Sequence, residues 1–238
     1  MLAPIDRGTG HPLHDLATTM AATLGHRGPD ASAIWVDLSK RIALGHTRLA
    51  IVDLSDAGAQ PMTSTDGRWT ITYNGEVYNT DDLRRSLGSA AWRGHSDTEV
   101  LVEHIARHGV EATLKATKGM FAFGCWDAHE SELWLARDRF GEKPLYYGFH
   151  QGALLFASEL KALRAVSGFD PDIDRLALAE YFRWTNVPAP MTIYEGVSKL
   201  PPAHFLRVGG SSGETEPQSY WSAIEVAGDV PPLSEGVD

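Results

Sequence analysis

Three short stretches of the chain carry side chains that could do chemistry together: Thr47-Arg48-Leu49, Tyr73-Asn74-Gly75-Glu76-Val77-Tyr78-Asn79, and Ser96-Asp97. A guanidinium such as that of Arg48 forks onto a carboxylate, and two acids, Glu76 and Asp97, can hold an ammonium group. The Asn74 amide beside the Gly75 N–H suits an oxyanion that develops during attack on a carbonyl. Together these describe a grip for an α-amino acid. Taken singly, each has a plainer reading: Arg48 or Asp97 as a surface ion pair or helix cap, Asn74-Gly75 as a turn dipeptide.

Such a grip needs elements to hold it. Leu13, Leu16, Ala17, Met20, Ala21 and Leu24 recur at helical spacing and predict a first helix, closed by Gly25 in the left-handed conformation. Runs at 34–36, 42–47 and 70–73 are rich in β-branched and aromatic residues and predict strands, so Arg48 and Asn74 each follow a strand. Ser96-Asp97-Thr98-Glu99 has capping-box spacing, and Val100, Leu101, His104, Ile105 and His108 carry a second helix to Gly109. Four strands follow at 121–126, 132–137, 145–149 and 154–158, with turns at 127–131 and 150–152, giving antiparallel hairpins; a further helix covers 174–183. Antiparallel strands with helices between them favour layered sheets covered by helices. The aromatic residues Trp126, Trp134, Phe140, Tyr146, Tyr147, Phe149 and Phe156 are expected in the core, with 137–147 alternatively forming a wall toward another domain. His104 and His108 stand four apart without a carboxylate in register, which predicts helix-surface residues and no metal site; His11 and His14 read the same way.

Composition narrows the class. With 238 residues, 43% of them hydrophobic, the chain can bury a full core. No stretch approaches a membrane helix and the first ten residues lack an apolar signal core, so a soluble cytoplasmic protein is expected. A net charge of -10 argues against nucleic-acid partners. Residues 209–238 hold six acids and no Lys or Arg, begin Gly-Gly-Ser-Ser-Gly, and read as a linker with a docking piece around Tyr220-Trp221; the body is then 1–208. The single cysteine, Cys125, rules out an internal disulfide and a multi-cysteine zinc site.

Read together, the motifs resemble one family. Arg27-Gly28-Pro29-Asp30, Arg48-Leu49-Ala50-Ile51-Val52-Asp53, Asn74-Gly75-Glu76-Val77-Tyr78-Asn79, Ser96-Asp97-Thr98-Glu99, Gly119-Met120-Phe121-Ala122-Phe123 and Arg137-Asp138-Arg139-Phe140-Gly141-Glu142-Lys143-Pro144 occur in the order found in glutamine-hydrolysing asparagine synthetases. Ser158-Glu159-Leu160-Lys161, Val187-Pro188-Ala189-Pro190 and Lys199-Leu200-Pro201-Pro202 extend the match, so that the chain is similar to their class II glutamine amidotransferase half over roughly residues 11–221. The resemblance implies an α+β fold, the four-layer αββα sandwich of N-terminal-nucleophile hydrolases. It also implies that Arg48 holds the glutamine carboxylate, Glu76 and Asp97 its α-amino group, and that Asn74 and Gly75 form the oxyanion hole.

The sequence departs from that pattern at its start. The family's nucleophile is an N-terminal cysteine on a first core strand, whereas this chain begins Met1-Leu2-Ala3-Pro4, with about seven residues of that strand missing. Cys125 lies in an alternating strand and reads as a packing residue, and Thr9 would serve only after cleavage behind Gly8. No catalytic nucleophile is therefore assigned, an unpaired sheet edge and an apolar trough are expected, and the chain as given is expected not to hydrolyse glutamine. The Ser-Gly-Gly-x-Asp-Ser loop of the family's ATP-pyrophosphatase domain does not occur in the sequence, where Gly209-Gly210-Ser211-Ser212 lacks that order, so ATP and Mg²⁺ are expected only for a synthetase domain or subunit and no cofactor or metal for this chain. Alternatives are a non-catalytic glutamine- or partner-binding domain, or a structural domain of a related amide-forming ligase.

Overall fold

The computed structural model describes residues 12–50, 55–88, 92–209 and 216–228. In chain order the elements are α1 (Pro12–Ala22), β1 (Ala31–Asp37), β2 (Ile42–Arg48), β3 (Met62–Thr63), β4 (Trp69–Val77), α2 (Thr80–Ser86), α3 (Asp97–His108), α4 (Val110–Ala116), β5 (Gly119–Asp127) and β6 (Glu132–Arg137). They continue with β7 (Tyr146–His150), β8 (Ala153–Ala157), α5 (Leu160–Arg164), α6 (Arg175–Trp184), β9 (Val197–Lys199), β10 (His204–Gly209), β11 (Gln218–Ser219) and α7 (Ala223–Gly228).

Strand alternation builds the layers. A six-stranded antiparallel sheet has the order β11-β10-β6-β5-β4-β3. From one face Trp69, Ile71, Tyr73, Phe121 and Phe123 enter a core with Val100, Leu101 and Ile105 of α3. From the other, Ala122, Trp126, Leu133 and Leu135 meet Ile42 and Leu44 of β2 with Tyr147 and Leu154 of β7 and β8. The second sheet layer turns Ala43, Leu155 and Ala157 outward under Leu13, Ala17 and Met20 of α1 and Ala162 and Leu163 of α5. The result is the helix–sheet–sheet–helix sandwich expected.

The second layer is divided. It consists of a two-stranded piece, β1-β2, and a three-stranded piece, β8-β7-β9. Among the described residues β2 pairs only with β1 and β8 only with β7, so each presents an unpaired edge, and one cavity is lined by both.

Several expectations need correction. Gly25 is not in the left-handed region; α1 ends instead in successive turns, Leu24 N–H to Ala21 O at 2.8 Å and Arg27 N–H to Leu24 O at 2.8 Å. His104 is buried, not surface-exposed, because its Nδ1 meets the Thr113 hydroxyl of α4 at 2.8 Å, a contact between helices that single-helix periodicity does not show. Phe140 and Phe149 are 70% and 50% exposed, outside the core in which the aromatic run was placed. Past residue 208, β11 pairs with β10, and buried Tyr220 donates its hydroxyl to Arg137 O at 2.8 Å, so the docking piece closes the edge of the large sheet. Thr9, His11 and much of the acidic tail lie outside the described residues.

Candidate functional site

The last residues of β4 carry most of the candidate grip, and alternation sends neighbouring side chains to different places. Both Tyr73 and Asn74 border the cavity between the sheet layers, but the Tyr73 side chain enters the core beneath α3, whereas Asn74 alternates to the opposite face. Gly75 must be glycine: a Cβ there would stand 2.2 Å from Met120 O on β5. Tyr73 N–H donates to Gln60 Oε1 at 2.7 Å, and Gln60 Nε2 donates to Thr98 Oγ1 at 3.1 Å, tying strand and helix together.

The Ser96 N-cap sets the next residue, while the Glu99 carboxylate turns to the N–H groups of Arg93 and Gly94 instead of completing a capping box. Ser96 Oγ accepts from Glu99 N–H at 3.3 Å and so fixes the first turn of α3, which delivers Asp97 to the end of β4. There Asp97 Oδ2 accepts from the Tyr73 hydroxyl at 2.9 Å and from Val77 N–H at 3.0 Å. Burial first, and the Asp97 charge second, push the Tyr73 phenol far up, so it stays a protonated donor. Asn74, Gly75, Glu76 and Asp97 thus meet at one strand end, with Glu76 exposed there.

Arg48 closes β2. Its Nη1 donates to Ser55 O at 3.1 Å, and its own carbonyl accepts from Asp30 N–H at 3.0 Å. Gly28 lies so close behind this strand end that a Cβ would come within 2.3 Å of Thr47 C and O. Thr47, Arg48's neighbour, lines the same cavity as Asn74. That cavity is about 860 Å³ including its open mouth, bounded by α1, β2, β4, β5 and the end of β8. On its rim Arg27 Nη1 pairs with Glu159 Oε1 at 3.1 Å, and His26 Nε2 reaches the same oxygen at 2.9 Å.

Two polar groups lining the cavity stand out. Asn74 Nδ2 is buried and has no hydrogen-bond partner among the described residues, a costly state that a bound acceptor would relieve. His46 is held neutral, its pKa lowered to about 4 by burial and then by the Arg48 charge. Thr72 Oγ1 donates to Gly45 O at 3.1 Å, so at the 3.4 Å contact with His46 Nδ1 its oxygen is the acceptor and the imidazole proton sits on Nδ1.

Residues 6–221 match the family described as "Glutamine amidotransferase domain". The chain belongs to that family. This amidotransferase domain is 41% identical over 195 residues to asparagine synthetase [glutamine-hydrolyzing] 3 of Bacillus subtilis (strain 168), covering 79% of the chain and 31% of the relative. It is 34% identical over 220 residues to amidase chry2 of Gibberella zeae (strain ATCC MYA-4620 / CBS 123657 / FGSC 9075 / NRRL 31084 / PH-1), covering 92% of the chain and 32% of the relative. The chain therefore spans about a third of the length of these curated relatives. In fold it is similar to the glutamine phosphoribosylpyrophosphate amidotransferase of B. subtilis complexed with ADP and GMP. The TM-score is 0.62 at 20% identity, over 87% of this chain and 46% of that one.

The amidotransferase domain keeps Cys125 away from the cavity. Ala122, Phe123 and Gly124 line the cavity, whereas Cys125 does not; it is fully buried in the core beneath α3, where desolvation pushes its thiol well up. Sequence reasoning missed His46, although it shares a strand face with Arg48 at the two-residue spacing of a strand. It also missed the scaffold role of Arg137 and Asp138. Asp138 is fully buried and accepts from the N–H groups of Phe121, Phe140, Glu142 and Lys143 at 3.0–3.2 Å. Arg137 donates to Lys143 O and Leu200 O, each at 2.7 Å, and to Gly141 O. Among the described residues no group of three His, Cys, Asp or Glu is placed to hold a metal ion, and no helix is long and apolar enough to cross a membrane.

Proposed function

We propose that this domain binds L-glutamine at the end of β4 and serves an amide-forming synthetase of the asparagine synthetase type. The observation that carries the reading is the Nδ2 of Asn74, without a partner among the described residues and buried on the cavity at the strand end where Gly75, Glu76 and Asp97 converge. In this reading Arg48 forks onto the glutamine carboxylate and Glu76 and Asp97 hold its ammonium. Asn74 Nδ2 and the Gly75 N–H face the side-chain carbonyl, where negative charge develops on attack. Where a nucleophile is supplied at the cavity, ammonia released from the side-chain amide would pass to a synthetase domain or subunit that converts aspartate to asparagine at the expense of ATP. ATP and Mg²⁺ belong to that partner, no cofactor is assigned to this domain, and its setting is the cytoplasm.

Attack on the amide requires a nucleophile at the cavity. Cys125, the sole cysteine of the chain, is on the wrong face of β5 and is held as a thiol. The 238-residue chain by itself binds glutamine without hydrolysing it. Titration calorimetry with L-glutamine tests this: weak saturable heat that Arg48→Ala abolishes is expected. A folded sample that gives no heat overturns the glutamine assignment, and glutamate release by the purified chain overturns the assignment of inactivity.

A further inference from the structure

Helix α6 is amphipathic yet almost uncovered. Ala177, Leu178, Tyr181 and Trp184 recur at helical spacing, but only Ala177 is buried; Tyr181 and Trp184 are 48% and 59% exposed. The helix is held at its two ends. Asp174 caps it by accepting from Leu176 and Ala177 N–H at 2.8 and 3.1 Å, and its own N–H donates to Ile193 O at 3.0 Å. Thr185, in the left-handed conformation, closes the other end by donating its N–H to Tyr181 O at 2.7 Å. Between the helix and the body lies a cavity of about 800 Å³ including its mouth, with Leu178 and Tyr181 on one side and Tyr146, Leu160 and Ile193 on the other. A short helix draws its stability from burying its apolar face, so an apolar occupant completes this one.

One charged side chain lines this cavity, that of Lys199 on β9. It is half-buried; its Nζ donates to Val187 O at 3.0 Å and stands 5.7 Å from the centre of the Tyr146 ring. Among the described residues no carboxylate forms an ion pair with it. Glu159, whose charge reaches Tyr146, is already engaged by His26, Arg27 and Lys161. Arg137, whose charge reaches Lys199, gives its own N–H groups to the carbonyls of Gly141, Lys143 and Leu200. Burial, and then that second cation, lower the Lys199 amine below the usual lysine range, a cost that a bound anion would relieve. Apolar walls with one uncompensated ammonium suit a carboxylate on an apolar stem, and the volume is that of a small-molecule site.

We propose that the cavity under α6 binds a small organic acid with an aryl or alkyl stem, its carboxylate on Lys199 and its stem between Leu178, Tyr181 and Ile193. None of the residues of the amino-acid grip lines this cavity, so the proposal stands or falls apart from the glutamine reading.

The probe is 4-phenylbutyrate, titrated into the full chain and followed by amide and methyl chemical shifts. Saturable binding is expected, with the shifts centred on Leu178, Tyr181 and Lys199. The amide 4-phenylbutanamide keeps the stem and loses the charge, butyrate keeps the charge and loses the ring, and each should bind about tenfold or more weakly. Lys199→Met keeps the apolar stem of the side chain and removes its charge. It should weaken 4-phenylbutyrate about tenfold and leave 4-phenylbutanamide unchanged, a split that lost packing alone would not produce. Arg48→Ala should remove glutamine binding and spare the acid. Equal binding of acid and amide, equal weakening of both by Lys199→Met, or shifts centred on other elements each overturns the proposal. So does a folded wild-type chain that binds no acid, the result expected if α6 instead packs on a protein partner. If Lys199→Met does not fold, the three ligands on the wild-type chain decide.

Discussion

Acid should destabilise this fold through His46, by an amount that can be worked out. Its imidazole titrates near 6.5 in the unfolded chain and at about 4 in the folded one, because burial and then the Arg48 charge oppose protonation. The folded value is the lower one, so the stabilising contribution is complete above 6.5 and is lost as pH falls toward 4. The gap corresponds to roughly 3 kcal/mol in full, of which about 2 kcal/mol is gone by pH 5, where the unfolded imidazole is protonated and the native one is not. Urea unfolding at pH 7 and pH 5 for wild type and His46→Asn measures this term. The wild type should lose about 2 kcal/mol more than the variant between the two conditions. His104, whose pKa burial also lowers to about 4, is present in both proteins and cancels in the comparison. Equal losses in the two proteins, or an imidazole of His46 that titrates near 6.5 by NMR in the folded state, would refute the reasoning.

Gly75→Ala drives a methyl to 2.2 Å from Met120 O in a paired strand and should cost roughly 2–4 kcal/mol in urea unfolding; a cost within 0.5 kcal/mol would show that β4 and β5 can part there. Asp138→Asn turns an amide toward N–H groups the carboxylate now accepts from, and should cost about 2–4 kcal/mol; retention of wild-type stability would mean those bonds are replaceable. Cys125 should be unreactive toward a chromogenic disulfide reagent in the native protein and react stoichiometrically in denaturant; rapid native labelling would contradict its burial.

Local signals carried much of this structure. Ser96-Asp97-Thr98-Glu99 specifies its own hydrogen bond, so the start of α3 was legible, as were the hairpins of β5 to β8, where apolar alternation and turn residues agree. Asn74-Gly75 misleads when read locally, because the dipeptide has the composition of a turn. In the structure it continues β4 against β5, and the contact that demands glycine comes from Met120, forty-five positions along the chain. His104 and Asp138 were illegible for the same reason: their partners belong to other elements, and no periodicity within one element announces them. An unpaired sheet edge was expected from the resemblance; the division of the layer into two pieces was not. That residues of both β2 and β8 line one cavity needed the structure.

One feature of β4 couples folding to chemistry. Tyr73 and Asn74 are adjacent in sequence and turn their side chains to opposite faces, the Tyr73 hydroxyl anchoring Asp97 under α3 and the Asn74 amide lying at the cavity. Because the side-chain period of a strand is two, a slip of one residue against β5 would exchange them, putting a phenol in the cavity and an amide in the helix-side core. Insertions or deletions in the 64–68 turn, although far from Asn74 in the chain, therefore act as binding-site mutations as soon as they shift the register. Lengthening that turn while the ladder holds should be silent, so the turn can report whether the strand or its connection sets the site.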